Sequence, residues 1–271
     1  MERTDSGGRP PARSWSPGPA LAAFYDGVTV ICQLSAQFSD VGWLAPSPCP
    51  EWRVTDLAGH LRCVADDFHE YLDDAPASRL ARLMATGVHP DTLARKLARQ
   101  NAAELAALPD ATGPEHIDAF ASSARSYAQR LLPIWDLPHH QYRDVLITVG
   151  GMAGAACAEW HLHAWDLARA LGKEYRPADP DILLRGWQAG MPHALARAGL
   201  DHAAVQEAAV ARGQGGRLAG AAVREDPWQV MLRASGRMPV GGNSPGPGAV
   251  APRSAPWSLA GPAGPLAHPG R

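Results

Sequence analysis

Apolar side chains recur along most of this chain at three- and four-residue spacing, the signature of helices with one buried face. In residues 19–38, Leu21, Phe24, Val28, Ile31 and Leu34 fall on one stripe. Pro46, Pro48 and Pro50 then form a rigid connector. A second helix is predicted from Val54 to Leu72, with Leu57, Leu61, Val64 and Phe68 on one face and Thr55 or Asp56 able to cap its start. Asp91 to Leu108 is rich in Ala, Leu and Arg and reads as helix. The break Asp110-Ala111-Thr112-Gly113-Pro114 precedes another from Glu115 to Leu132. Pro133 to His140 reads as a loop, and Tyr142 to Val149 is too short and β-branched to assign. A long helix follows from Gly151 to Leu171, with Gly172 as its C-cap. Shorter helices are expected at 181–198, 201–211 and Trp228 to Ala234.

Strands do not alternate with helices, so a parallel sheet is disfavoured and the fold is expected to be all-α, an up-and-down four-helix bundle with additional short helices. The predicted domain spans residues 19–239. Residues 1–18 and 240–271 are rich in Gly and Pro and are expected to be disordered.

Composition narrows the function. Hydrophobic residues make up 46% of the 271, ample for a core, and 25 basic side chains nearly balance 27 acidic ones. No basic stripe marks a nucleic-acid surface, and no apolar run reaches the roughly 20 residues of a membrane span. The first 18 residues lack the apolar centre of a secretory signal. Cys32, Cys49, Cys63 and Cys157 have no CxxC spacing and suit free thiols in a cytoplasmic protein.

The candidate chemistry lies in Glu159-Trp160-His161-Leu162-His163-Ala164-Trp165-Asp166-Leu167. Glu159 and His163 are one helical turn apart, so a carboxylate and an imidazole can close on one ion. His60, on the second helix, is a third donor. Two ligands from one helix and one from another leave a coordination position open, as a catalytic metal requires. Asp166 is placed to orient an imidazole or to pair with Arg169. His161 points to a different face, and His139-His140 sit in a Pro-flanked loop that reads as solvent-exposed. Spacing alone leaves the metal reading open, because Glu/His pairs at i,i+4 are also ordinary surface contacts and a histidine on an apolar face is also a core residue.

A family likeness bears on this choice. The run Cys49-Pro50-Glu51-Trp52-Arg53-Val54-Thr55-Asp56-Leu57-Ala58-Gly59-His60-Leu61 resembles the first signature of the mycothiol-dependent maleylpyruvate isomerase family, whose bundle is of the DinB-like metal-binding type. Glu159-x3-His163-Ala164-Trp165-Asp166-Leu167-Ala168 resembles its second signature. Pro227-Trp228 through Gly236-Arg237-Met238-Pro239 is similar to the ending of single-domain members. The resemblance implies that His60, Glu159 and His163 are metal ligands, that the metal is divalent and usually zinc, and that mycothiol serves as cosubstrate.

The function it implies is isomerisation or S-transfer on a small electrophile through a metal-activated thiolate, in a chain expected to pair as a homodimer. The alternative is a non-catalytic metal-binding or sensor bundle. The founding isomerase adds an α/β domain after its bundle, and residues 240–271 are too short and Pro/Gly-rich to supply one. Maleylpyruvate also needs cationic partners, for which Arg53, Arg62 and Arg143 are the candidates.

Overall fold

The computed structural model describes residues 15–50, 52–73, 90–142, 145–192, 194 and 225–238. The expected terminal segments (apart from residues 15–18), the helix at 201–211 and Arg143 lie outside these. The described helices are α1 (Pro17–Ser35), α2 (Asp40–Trp43), α3 (Val54–Asp73), α4 (Pro90–Ala107), α5 (Gly113–Leu131), α6 (Val149–Ala170), α7 (Pro180–Gly190) and α8 (Pro227–Ala234). None is long and apolar enough to cross a membrane.

The fold is the expected all-α bundle, built on α1, α3, α5 and α6, with α4 packed on α3 and α7 on α6. Its helix directions follow from the residues that meet. Gly59 lies beside His116, Asp66 accepts from Ser123, and Asp73 pairs with Arg130, so α3 and α5 run parallel. Ala23 lies against His161, and Gln37 accepts from Lys173, so α1 and the α6 end also run parallel. By contrast, His60 meets His163 while Phe68 meets Trp160, so α3 and α6 are antiparallel. The order is up, down, down, up, and the crossover through α4 is what returns the chain to the same end before α5 begins.

Helix α6 carries the site and is the bundle's centre. It is buried on nearly every face from Val149 to Ala168, which in a helix marks the core of the molecule rather than an amphipathic surface position. Thr148 caps it by accepting from the Gly151 amide at 3.1 Å. Its first half is glycine- and alanine-rich because α7 lies directly on it. A Cβ at Gly154 would fall 2.2 Å from the Gly186 carbonyl oxygen. Its second half carries Trp160, whose ring meets Phe24, Phe68 and Phe120 edge-on at 5.9, 5.9 and 4.9 Å. Gly172 follows the helix at φ +68°, as a C-terminal cap requires.

Three expectations need correction. The stretch from Pro138 to Thr148 is not a loop and an unassigned run but an antiparallel hairpin, β1 (Pro138–Tyr142) and β2 (Val145–Thr148). His139 and His140 are not exposed: their residues are 1% and 5% accessible. The register is irregular between Pro138 and His140, and such a bulge turns two successive side chains inward. Finally, the helix expected at 181–198 breaks at Met191, where α7 has ended at Gly190, and residues 193 and 195–198 lie outside the described residues.

Candidate metal centre

The first ligand candidate is set by the start of α3. Its Val54 amide donates to the Ala45 carbonyl at 3.0 Å, and the Ser47 amide donates to Trp52 O at 2.8 Å, closing the proline-rich connector into a tight turn. Asp56 accepts from the Arg53 amide at 2.8 Å, which satisfies one orphan donor at the helix start. The folded connector places Trp52 over the ring of His60, with centroids 4.8 Å apart, and buries Cys49 nearby.

From α6, Glu159, His163 and Asp166 project into the same buried region; all three residues are under 5% exposed. The rings of His60 and His163 meet edge-on at 5.1 Å. His163 Nε2 lies 3.4 Å from a Glu159 oxygen. On the other side of the same ring, Nδ1–H donates to Asp166 Oδ2 at 2.9 Å. Asp166 is gripped in turn by Arg237, whose Nε and Nη2 donate to its two oxygens at 3.0 and 2.6 Å. Arg237 reaches it because, just beyond α8, Gly236 at φ +74° reverses the chain and the Arg237 amide bonds back to Leu232 O.

The electrostatics follow from this order. Burial alone would raise the Asp166 carboxyl, but Arg237 and His163 outweigh it and hold it down at about 2. Burial likewise works against charge on His163, yet the hydrogen bonds to Asp166, Cys49 and Glu159 prevail and push it well above its ordinary value. His60 has no such carboxylate partner. Burial, then the positive charges of His163 and Arg237, keep it neutral, the form in which imidazole ligates metals.

Both ring nitrogens of His60 are buried and make no hydrogen bond, and His163 Nε2, also buried, faces the Glu159 carboxylate at 3.4 Å. Buried polar atoms without partners carry a desolvation penalty of about 1–3 kcal/mol each, and a cation that takes the one lone pair of neutral His60 would account for one of its two nitrogens. A neutral His60 and a His163 whose Nε2 proton a cation would displace, beside the Glu159 carboxylate, suit a divalent cation of the zinc type.

A second donor set shares His163. Cys49, His163 and Asp166 are the three side chains among the described residues whose donor atoms all lie within 4.8 Å of one another. Cys49 Sγ donates to Asp166 Oδ2 at 3.5 Å. This cluster sits on the Nδ1 side of the ring, where Asp166 is already neutralised by Arg237. A dication there would face a buried guanidinium. On the Nε2 side the ring faces Glu159 at 3.4 Å, and the donors there are more widely spaced than those of the Cys49 set.

Of the sequence-predicted residues, the structure brings His163 to 3.4 Å from Glu159 and its ring to 5.1 Å from that of His60, but the three are not among the donor sets that close to within 4.8 Å. The structure pairs Asp166 with Arg237 and not with Arg169, which instead binds Glu174 at 3.0 Å and lies over the Trp165 ring. His161 turns away, as its spacing implied, donating to Ala23 O at 2.9 Å. Of the arginines considered as substrate partners, Arg53 is exposed on the connector and Arg62 half-buried on α3. Reading the sequence missed Arg237 as a partner of the site; its position beside Gly236 in a recurring motif was the available signal.

A family model described as mycothiol maleylpyruvate isomerase N-terminal domain matches residues 28–168. The chain belongs to this family. The matched span holds His60, Glu159, His163 and Asp166 and ends before α7, α8 and Arg237. No curated protein and no solved structure matches the chain significantly.

Proposed function

We propose that this protein is a metal- and thiol-dependent enzyme, an isomerase or S-transferase that uses mycothiol on a small electrophile. His60, Glu159 and His163 hold the metal, and the fourth position is left to the thiol. The observation that carries the proposal is the pair of buried, unpartnered ring nitrogens of His60 near His163, whose Nε2 faces the Glu159 carboxylate. Two His and one Glu with an open position suit zinc.

Zinc bound there supplies a Lewis acid that lowers the pKa of a thiol, making thiolate available near neutral pH. The surrounding residues tune and protect this chemistry. Asp166 holds the Nδ1 proton of His163, so Nε2, facing Glu159, is the nitrogen that would give up its proton to a cation. Arg237 keeps Asp166 ionised, and Trp52 covers the His60 ring. A thiolate adding to an activated carbon–carbon double bond leaves a single bond free to rotate. Expulsion of the thiolate then gives the isomer, whereas protonation at carbon gives the thioether. The four cysteines are free thiols, which suits a reducing cytoplasmic setting.

The test is consumption of mycothiol by the zinc-loaded full chain across a panel of electrophiles, with His163→Ala as control. Acceleration over the uncatalysed reaction that disappears in the variant is expected. A fully metal-loaded protein that accelerates none of them would leave a non-catalytic metal-binding bundle as the correct reading.

A further inference from the structure

Helix α4 is held less firmly than the bundle helices around it. Whereas α3, α5 and α6 bury residues along their whole length, Leu97 and Asn101 are the buried residues of α4 among those whose side chains are described. Leu105 adds an apolar contact where it packs against Gly59 of α3. In the docked helix Gln100 Nε2 is buried and has no acceptor, so docking removes that amide from water without a hydrogen bond in exchange. Beyond α4, the exposed Pro109 and Asp110 lead to α5, whose start is fixed by the reciprocal Thr112–Glu115 cap. A helix with few buried apolar side chains, joined through an exposed link, opens at lower free energy than the domain as a whole. Beneath it lies a cavity of about 50 Å³, lined by Leu97 and Asn101 of α4, Val64 and Phe68 of α3, and Met152 and Glu159 of α6.

We propose that α4 is a lid on the metal centre. It swings off α3 about Pro109 and Asp110, opening the cavity as the path by which thiol and electrophile reach the Glu159 side of the metal. The proposal rests on the metal- and thiol-dependent reading above. His60, Glu159 and His163 are 1%, 4% and 0% exposed, so a thiol that bonds to their metal needs a path that the closed conformation lacks. Lifting α4 removes the wall made by Leu97 and Asn101 and uncovers the face of Glu159 that lines the cavity. Leu97 draws the lid shut, whereas the stranded amide of Gln100 keeps the closed state from becoming too stable to open. Closure over the bound reactants then excludes water.

The experiment follows zinc release from the zinc-loaded full chain into excess chelator, alongside hydrogen exchange of the backbone amides. The α4 amides are expected to exchange at least about 100-fold faster than those of α3 and α6. Leu97→Ala should speed both zinc release and α4 exchange by about tenfold or more, while α6 exchange stays unchanged. Gln100→Leu, which removes the stranded amide, should slow both by about fivefold or more. Leu97→Val repeats the first test should Leu97→Ala fail to fold. Exchange of α4 in step with α3 and α6 overturns the proposal, as does zinc release that stays constant while α4 exchange quickens. A wild-type chain that binds no zinc would overturn the metal reading and with it the role of the lid. Zinc release that tracks α4 without any thiol consumption would overturn the enzymatic reading and leave the lid standing.

Discussion

Arg237 grips Asp166 with two hydrogen bonds and, through it, fixes the ring of His163 in the bundle core. The two residues are 71 positions apart, so the turn after α8 acts, through Asp166, on the proposed ligand His163 of α6. This couples the C-terminal part of the described chain to the site more tightly than helix packing alone would.

Removing the guanidinium leaves a buried carboxylate with an uncompensated charge. Arg237→Ala is therefore expected to destabilise the protein by about 3–5 kcal/mol. Loss of an outer partner of this kind weakens metal binding by roughly 10- to 100-fold. Arg237→Lys should recover only part of both, because an ammonium cannot reproduce the two-pronged geometry. Urea unfolding and a chelator competition titration measure the two effects separately.

Much of this was legible beforehand. The stripe of Leu57, Leu61, Val64 and Phe68 defined α3 almost to the residue, and the spacing of Glu159 and His163 put both on one face. The Asp166–Arg237 pair was not legible, since helical periodicity says which residues share a face and nothing about which distant turn will cover it. The hairpin escaped for a different reason. Pro138-His139-His140-Gln141-Tyr142 has no apolar alternation, and its burial comes from a register irregularity that only pairing with β2 creates.

The buried histidines of that hairpin make an acid-sensitive point. His139 Nδ1 and His140 Nδ1 lie 2.8 Å apart, so one donates and the other accepts, and the two Nδ1 atoms cannot both be protonated without breaking the contact. Burial, and then the neighbouring His139, depress His140 from 6.5 to about 4. A depressed histidine contributes stability that is fully present above its unfolded value near 6.5 and is lost as pH falls toward 4. Between pH 7.5 and pH 5 the cost for His140 is about 2 kcal/mol. Unfolding curves at the two pH values should show this loss, and His140→Asn should remove most of it. An unchanged pH dependence in the variant would place the acid sensitivity elsewhere.

The contact between α6 and α7 depends on glycine. A Cβ at Gly154 would fall 2.2 Å from Gly186 O, and one at Gly190 would fall 2.1 Å from Gly151 O. Both partners are backbone atoms that cannot swing aside. Gly154→Ala is expected to cost about 1–3 kcal/mol through overpacking, against the usual gain of alanine within a helix. A thermal melt decides the sign; a raised Tm would mean that the two helices can separate without penalty.

Metal stoichiometry tests the central claim most directly. The full chain, supplied with zinc, desalted and measured by elemental analysis, is expected to retain one ion per chain, and Cys49→Ser should retain it too. His60→Ala, Glu159→Gln and His163→Ala should each lose it. A wild-type protein that binds no metal, or one whose metal survives His60→Ala and is lost in Cys49→Ser, would contradict the assignment of His60, Glu159 and His163 as the metal centre.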